Sequence, residues 1–328
     1  MRKISLFAIL CLMLFFMPVF AEEEKVCARD TFFPESGNCG YDVERYDLHF
    51  TWTAENDRWQ GDEMITLLSE WDADELRLDF DEAMTIMELT IDGAPVPFEL
   101  KGSKLTLFGS FSHDTRYEIH ALFSGLTPRG TIFGVDQTPE ESRKYGLIVE
   151  NETVFAGHFF ICNDTPRDKA LMNITMTVPG NFVPVCGGRL TAITETDGTT
   201  WHPSADFVRL YENAASEGTV TYRYEYAEPL APYLAAFSIG KFDLYSVGSP
   251  DGKIRLDAID STMEPEAYGN ARKLSDMSDE MIAYFGALLG DYPFRDSGSI
   301  ISSQQIYSSI ETQTRPTYRP PKRRSRSA

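Results

Sequence analysis

Basic residues are scarce in this sequence of 328 residues, in which 30 Lys and Arg stand against 50 Asp and Glu and give a formal net charge of −20. The acidic residues are scattered along alternating patterns, as expected for a solvated surface, and are not gathered in a tail. Proteins that bind nucleic acid concentrate Lys and Arg where they contact phosphate. The composition therefore argues against nucleic acid as a partner.

Long apolar runs are absent after the first twenty residues. At the N-terminus, Arg2 and Lys3 precede an apolar run from Ile4 to Phe20, and a small residue, Ala21, follows it. This order is typical of a secretory signal peptide. We predict a signal at residues 1–21 and a mature protein that is secreted or periplasmic, with no membrane partner. A membrane anchor is the alternative, because about 20 apolar residues span a bilayer.

Cysteine is sparse, and no pair has the C-x-x-C spacing of a structural zinc site. Removal of the signal leaves Cys27, Cys39, Cys162 and Cys186, and an even number in an exported chain permits disulfides. Cys27 and Cys39 bracket a short loop rich in turn residues, and we predict that they pair. For Cys162 and Cys186 two interpretations stay open, a second disulfide or two small buried hydrophobic side chains.

Histidine is also rare, and no two histidines have the spacing of a helical metal site. The five are His49, His113, His120, His158 and His202. His49 and His120 alternate with apolar residues, which predicts solvated side chains on the polar faces of strands. The sequence also contains no G-x-S-x-G motif and no P-loop, so it carries neither of these nucleophile and nucleotide signatures.

Alternation with period two is what the sequence has in abundance. The segments 46–52, 76–80, 117–123 and 222–226 each alternate large apolar side chains with polar ones, as half-buried strands do. Asp-Gly and Lys-Gly pairs mark turns between such segments. Many short strands without a repeat of fixed length predict a mainly β fold, with an antiparallel β-sandwich over residues 22–245.

The pattern changes after residue 245. Lys253 to Asp260 predicts one more strand, whereas Glu264 to Leu289 has apolar residues three and four apart, with Pro265 in the first turn and Gly290 at the end. We predict a helix there, followed by a strand at 297–303. The Met and aromatic stripe of this helix is predicted to form a core face. Its members are Tyr268, Leu274, Met277, Met281, Phe285 and Leu288.

This change of pattern predicts a β domain at 22–245 and a partial second domain at 246–318. The last ten residues, 319–328, read RPPKRRSRSA and abandon the acidic composition. Such a segment cannot extend a packed domain, so we predict a disordered basic tail. One interpretation of this tail is a functional basic arm; the other, which we favour, is a truncated or frame-shifted reading frame.

The segment FFICNDTPRDKA, from Phe159 to Ala170, is an apolar strand end that runs into a polar turn. Short side chains of the Asn and Asp type favour hydrogen-bonded turns. Asp164 and Asp168 have two interpretations, metal carboxylates or residues that hold the turn. The second is favoured, because His158 is the one histidine close to them in sequence.

At these residues the chain resembles the M1 family of zinc aminopeptidases, the gluzincin group. Residues 160–170 match its Phe-Pro-x-Asn-Asp-x-Pro-x-Asp-Lys-Ala signature, except that Ile161 stands where the family usually has Pro. Further segments are similar in the same order, at 187–190, 231–243, 291–301 and 310–318. The resemblance implies an aminopeptidase N-like β domain, followed by an incomplete α+β start of a thermolysin-like catalytic domain.

The resemblance also implies roles for two carboxylates in binding peptide N-termini. The family holds the substrate ammonium with the Glu of a strand motif, which maps onto Glu311, and Glu152 stands near the place of a second acid. Ser308 and Ser309 stand where the family has Gly-Ala beside the substrate backbone. A fixed carboxylate in a partly dehydrated pocket binds an ammonium group through charge-assisted hydrogen bonds.

Zinc is the cofactor that the resemblance implies. The family binds it with His-Glu-x-x-His on a helix and a later Glu, and the helix Glu acts as general base. The sequence of this chain contains no such motif. We therefore expect the N-terminal part of an exported zinc-dependent aminopeptidase, truncated before its metal motif and inactive as it stands. The alternative is a secreted, non-catalytic β-sandwich module that binds peptides or another protein.

Overall fold

The computed structural model describes residues 31–130, 137–214, 217–304 and 309–320. The predicted signal, Cys27, Ser308 and most of the predicted tail lie outside the described residues. Within these ranges most of the regular structure is strand, arranged in four sheets. The mainly β fold class predicted from the sequence is confirmed.

The largest sheet in the described residues has nine strands. In spatial order they are β13 (Thr200–Trp201), β12 (Arg189–Thr194), β15 (Thr219–Glu225), β10 (Leu171–Pro179), β1 (Tyr41–Thr53), β2 (Arg58–Ser69), β8 (Thr115–Leu126), β4 (Thr85–Ile91) and β5 (Ala94–Pro95).

Two three-stranded sheets and one five-stranded sheet make up the rest of the described strands. The first contains β3 (Ala73–Asp79), β7 (Lys104–Phe111) and β6 (Phe98–Lys101); the second contains β11 (Val183–Cys186), β16 (Phe237–Gly240) and β9 (Leu147–Val149). The five-stranded sheet contains β14 (Phe207–Arg209), β17 (Phe242–Gly248), β18 (Ile254–Asp260), β19 (Asp296–Ile301) and β20 (Thr317–Tyr318). The α-helices are α1 (Pro139–Tyr145), α2 (Pro265–Asp276) and α3 (Ser278–Leu289).

The alternating side chains of the large sheet form one face of an aromatic core. The rings of Trp59 on β2 and Phe237 on β16 stack with centroids 5.2 Å apart. Phe80, which follows β3, packs edge to face on Phe123 of β8 at 4.8 Å. The large sheet therefore buries its apolar face against both three-stranded sheets, as the predicted sandwich requires.

The sandwich is not antiparallel throughout. β1 and β10 pair in parallel, with Leu48 opposite Ile174. Their connection, residues 54–170, contains the strands β2 to β9 and returns the chain to the same end of the sheet, which a parallel pair needs. Local alternation cannot reveal this, because half-buried strands of either direction share the period of two.

The predicted turn signals close hairpins. Asp92 and Gly93 have φ values of 51° and 78° between β4 and β5, in the left-handed region that Asp tolerates and Gly adopts without strain. Gly102 has φ 61° between β6 and β7. These hairpins confirm that the predicted turns separate neighbouring antiparallel strands.

The predicted helix at 264–289 is two helices that meet at Met277. Arg255 of β18 donates a hydrogen bond of 2.8 Å to the carbonyl of Ser275 and pairs with Asp279 at 3.1 Å. A continuous helix would use the Ser275 carbonyl to accept from residue 279. At the junction, the buried guanidinium of Arg255 donates to that carbonyl in place of a helical N–H.

The predicted core face of this helical segment is wrong in its second half. Met277, Phe285 and Leu288 are each more than half exposed, and α3 has no buried residue among those described. Tyr268 of α2, in contrast, packs against a small cluster of buried side chains. The spacing predicted the apolar stripe correctly, but spacing cannot show whether a second layer covers it.

The predicted domain boundary falls at a place where strands continue. Tyr245 lies within β17, and β14, which belongs to the predicted first domain, joins the same five-stranded sheet. The division at residue 245 stays a prediction. Among the described helices, none has the length and apolar character to cross a bilayer.

Candidate functional site

The turn at Asn163 to Asp168 joins separate parts of the β region. Asn163 Oδ1 accepts a hydrogen bond of 2.6 Å from the Asn38 N–H, and its Nδ2 donates to Asp168 Oδ2 at 2.6 Å. Asp168 Oδ1 accepts from the Val43 N–H at 3.1 Å. Short polar side chains thus satisfy backbone donors of the N-terminal loop and of β1.

Asp164 lies in a buried group of charges. Its N–H donates to Asp79 Oδ2 at 2.9 Å, and its Oδ2 accepts from the Gly157 N–H at 3.4 Å. Lys104 forms an ion pair with Asp79. Burial raises the pKa of Asp164 to about 7, and the nearby Asp79 charge adds to the rise. Burial also raises the pKa of Asp168 to about 6. These contacts support the turn-holding interpretation of both carboxylates.

Glu152 lines a cavity of about 240 Å³ beside this turn. Asp164, Tyr233, Phe32 and Phe33 contribute to the same walls. Asp164 Oδ1 is buried and accepts no hydrogen bond within the described part of the chain. Two carboxyl groups with aromatic walls suit a primary ammonium group, which can satisfy acceptors and contact ring faces together.

Glu311 lies in a loop next to an edge strand, and not within the strand that the motif predicted. Ile310 and Thr317 exchange two backbone hydrogen bonds of 3.0 Å, which close the loop of residues 311–316. β20 then adds parallel to β19 at the edge of the described five-stranded sheet. The Glu311 side chain is exposed, and its charge, after burial, contributes to raising the pKa of Tyr318.

A larger, mainly apolar cavity of about 760 Å³ is lined in part by residues of this loop and of β20. Met281 and Phe285 of α3 form one wall, and Thr314, Pro316 and Tyr318 form part of the opposite wall. Neither Glu311 nor Glu152 is among the residues that line it. The exposed stripe of α3 is therefore one side of an open apolar groove.

The structure does not bring the three predicted substrate residues into one cavity. Glu152 lines the 240 Å³ cavity, whereas Glu311 and Ser309 are not among the residues that line it. Ser309 is partly buried just before the Ile310 bridge. The roles that the resemblance assigns to all three stay predictions.

The histidines are dispersed over the structure, and their rings contact neighbouring groups rather than one another. His49 Nε2 lies 2.9 Å from Thr177 Oγ1, His120 Nε2 lies 2.8 Å from Asp62 Oδ1, and His158 contacts Asp81. In the described ranges no group of three or more His, Cys, Asp or Glu side chains could hold a metal ion. The residues present therefore do not fit a zinc site, and no catalytic step is assigned to zinc here.

The cysteines divide into two kinds. Cys39 is disulfide-bonded, while its predicted partner Cys27 lies outside the described residues, so the pairing stays a prediction. Cys162 and Cys186 are buried free thiols. Of the two interpretations left open for them, the structure supports small buried side chains. Burial raises the pKa of Cys186 to about 12, which makes it a poor nucleophile.

Sequence reasoning missed the long-range partners of the two carboxylate loops. Lys104 of β7 reaches the Asp79 side chain beside the turn, and Arg315 is almost completely buried behind Glu311. Neither cation was singled out by the sequence pattern. The segment Thr-Gln-Thr-Arg-Pro-Thr gave no signal of its own, because it is too polar and too short to predict that Arg315 is buried.

Comparison with known proteins gives a consistent result. Residues 42–208 match the family description "Peptidase M1 N-terminal domain". The chain is 25% identical over 219 residues to "Probable aminopeptidase 1" of Saccharolobus solfataricus, which covers 66% of this chain and 24% of that protein. A second archaeal "Probable aminopeptidase 1", from Sulfurisphaera tokodaii, is 24% identical over 214 residues, 65% of this chain and 23% of that protein. The chain thus spans about a quarter of the length of these relatives.

Solved structures share the fold at lower identity. A mutant of the M1 zinc metallopeptidase from Deinococcus radiodurans superposes with a TM-score of 0.71 at 18% identity, covering 89% of this chain and 63% of that one. The same enzyme in complex with a Tyr-Ser-Ala substrate gives a TM-score of 0.67 at 19% identity, covering 87% and 62%. At these identities the likeness shows the fold alone.

Proposed function

Because the chain belongs to the peptidase M1 family, we propose that it is the N-terminal part of an exported aminopeptidase and that it binds the free N-terminus of peptides. The observation that carries this proposal is the Glu152 cavity, whose lining contains two carboxyl groups, those of Glu152 and Asp164, together with three aromatic side chains. Carboxylate oxygens accept hydrogen bonds, and an ammonium group bound in the cavity would donate them.

Electrostatics favours a cation in this cavity. The pKa of Asp164 is raised to about 7 by burial, so a positive charge beside it lowers the cost of its ionised form. Phe32, Phe33 and Tyr233 add apolar walls that would hold the first side chain or the backbone of a peptide. Glu311, which is exposed beside the edge strand β20 and does not line this cavity, is proposed as a second acid that contacts the peptide.

The binding test compares an unblocked peptide with its acetylated form. Tyr-Ser-Ala and N-acetyl-Tyr-Ser-Ala would be titrated into ¹⁵N-labelled protein, and dissociation constants would be read from amide shifts. The wild type should prefer the unblocked peptide, and Glu152→Gln should weaken that preference about tenfold, the loss of one charge-assisted hydrogen bond. Equal affinity for both peptides would favour the alternative, a secreted non-catalytic binding module.

We further propose that the polypeptide does not hydrolyse peptides by itself, although its family acts with zinc. The support is the lack of a His-Glu-x-x-His motif in its sequence and of a metal-binding cluster in the described residues. Purified protein would be incubated with zinc and an aminoacyl-arylamide. Turnover that a chelator abolishes would contradict this proposal.

Export is proposed from the N-terminal sequence, Arg2 and Lys3 before an apolar run. N-terminal sequencing of the protein recovered from a secreting host would test it. Cleavage after Ala21 is the expected result, and a full-length product held in the membrane fraction would support the anchor interpretation.

A further inference from the structure

The loop that carries Glu311 has unusual burial for so polar a sequence. Thr312, Thr314, Arg315 and Thr317 are all buried, and Arg315 is 1% exposed, whereas Glu311 is exposed. Polar side chains are buried when hydrogen bonds hold them in place. The loop therefore points its anchoring side chains inward and its acid outward.

Arg315 makes its hydrogen bonds to three backbone carbonyls from two parts of the molecule. Its Nε donates to Leu256 of β18 at 2.8 Å, its Nη2 donates to Gly188 at 2.9 Å, and its Nη1 donates to Cys186. Leu256 belongs to the five-stranded sheet, while Cys186 is the last residue of β11 and Gly188 lies in the turn between β11 and β12. One guanidinium thus connects the Glu311 loop to both.

The partners of this guanidinium are neutral. The ring of Tyr224 is 6.0 Å away. Burial raises the pKa of Asp257, and the Arg315 charge, after that of Arg255, contributes to lowering it. An unpaired buried cation is costly unless its donors are satisfied in a fixed geometry. The planar fork of arginine can reach three carbonyls at once, and the single ammonium of lysine cannot.

Two further contacts hold the same loop on the same turn. Thr314 has φ 68°, and its Oγ1 accepts a hydrogen bond of 2.9 Å from the Gly188 N–H. The left-handed conformation is rare for a β-branched residue and persists where surrounding contacts impose it. A Cβ on Gly187 would lie 2.7 Å from the Gln313 carbonyl oxygen, so the loop packs on this turn too closely for any side chain.

We propose that Arg315 is a positioning residue, which fixes the Glu311 loop against the Gly187–Gly188 turn and so sets where the Glu311 carboxylate stands for a peptide N-terminus. The choice of a peptide N-terminus as ligand rests on the proposed function. The claim that Arg315 holds the loop does not depend on it. Arg315 acts through Glu311 and does not contact the peptide.

The experiment uses the full chain and three variants of the contact. Arg315→Met removes all three donors, Arg315→Lys keeps the charge without the fork, and Thr314→Val removes the acceptor for the Gly188 N–H alone. Arg189→Met is the matched control, because Arg189 lies at the same junction and pairs with Asp296 at 2.9 Å. Within the described residues the hydrogen bonds of Arg189 go to Asp296 and Gly252 and not to the loop.

Hydrogen exchange at the amides of Gly188, Ile310 and Thr317 reports whether the loop is held, since all three donate across the closed loop or onto it. Exchange should become at least about tenfold faster in both Arg315 variants and at Gly188 in Thr314→Val, with no change in Arg189→Met. Under conditions where each variant is fully folded, the affinity for Tyr-Ser-Ala should fall about tenfold and that for the acetylated peptide should not change.

The outcomes separate positioning from general stability. A lower melting temperature with unchanged loop exchange and unchanged affinity would overturn the proposal, as would an equal effect of Arg189→Met. If Arg315→Met does not fold, Arg315→Lys and Thr314→Val decide the question. If the wild type does not prefer the unblocked peptide, the proposed function fails, while exchange at the three amides still decides whether Arg315 holds the loop.

Discussion

The β-sandwich and the segment after it hold their shape by different means. In the sandwich, aromatic side chains from the large sheet and both small sheets interlock, as Trp59 and Phe237 do. After β17 the separate cluster of buried apolar residues has four members, Ile259, Met263, Ala271 and Ile301. The second region has little apolar burial of its own in the described residues, although β18 and β19 also reach the large core.

Polar contacts take the place of apolar ones in the second region. Arg255 lies between Asp257 and Asp279 and binds the carbonyl at the junction of α2 and α3, and Arg315 ties β18 to the sandwich. Hydrogen bonds are directional and demand fixed partners, while apolar contacts tolerate rearrangement. The first region is therefore stabilised by the burial of apolar side chains, and the second is held in register by buried arginines.

The largest expected effect comes from a matched pair of phenylalanines, one in each region. Phe237→Ala removes a 1% exposed ring that contacts Phe50, Trp59 and Phe159, and should cost about 3–5 kcal/mol of unfolding free energy. Phe285→Ala removes a ring that is 54% exposed and should change stability by less than about 0.5 kcal/mol. Urea unfolding of both variants measures this. Equal losses would break the contrast, because they would mean that the α3 stripe is covered in solution.

The next effect tests the buried arginine of the second region. Arg255→Met leaves Asp257, which is fully buried, without its cation, and should cost about 3 kcal/mol. Faster hydrogen exchange should be confined to α2 and α3 if that region opens by itself.

The control is an exposed pair in the sandwich. Arg116 contacts Glu44 through two hydrogen bonds of 2.8 Å on the surface, and Arg116→Met should leave the unfolding midpoint unchanged. Exchange that rises equally across the sandwich in Arg255→Met would show that the two regions unfold as one unit.

The sequence was sufficient for features that local pattern determines. Alternation predicted the burial of Leu48, Phe50 and Trp52, and Pro265 and Gly290 predicted where helical structure begins and ends. What it could not predict depended on distant partners. The parallel register of β1 with β10, the break at Met277 and the burial of Arg315 each follow from a contact made far away in the chain.

The candidate site shows the same division. The Asn-Asp turn was predicted to hold structure, because short polar side chains act on nearby backbone. The sequence did not predict that Asp79 and Lys104 contact this turn or each other, since an acid and a lysine on strands are ordinarily solvated. The resemblance assigned Glu311 to a strand, whereas the structure places it in a loop. Thr314 and Arg315 of this loop form hydrogen bonds with Gly188, in a glycine turn more than a hundred residues earlier.

The smallest effect expected is a difference between two buried acids in their dependence on pH. Glu63 lies in the sandwich core with one hydrogen bond, from the Ile161 N–H at 2.9 Å, and burial raises its pKa well above the ordinary value. Asp257, in the second region, also has its pKa raised by burial, but Ser299 and Arg255 contact it and oppose the rise. The contribution of Asp257 to stability should therefore depend less on pH than the contribution of Glu63.

The sign follows from linkage. A carboxyl whose pKa is higher in the folded chain holds its proton more tightly there, so stability is greatest below the unfolded pKa of about 4.5 and falls as pH rises toward the folded value. Glu63→Gln cannot lose a proton at that site, and its stability relative to the wild type should rise steadily from about pH 4.5 to pH 8. Asp257→Asn should show the same direction with a smaller total rise, because a smaller pKa shift gives a narrower pH window. Urea unfolding at intervals of pH gives both totals; a larger rise for Asp257→Asn would mean that its arginine and serine do not stabilise the charge, and the proposed division between an apolar region and a polar one would have to be given up.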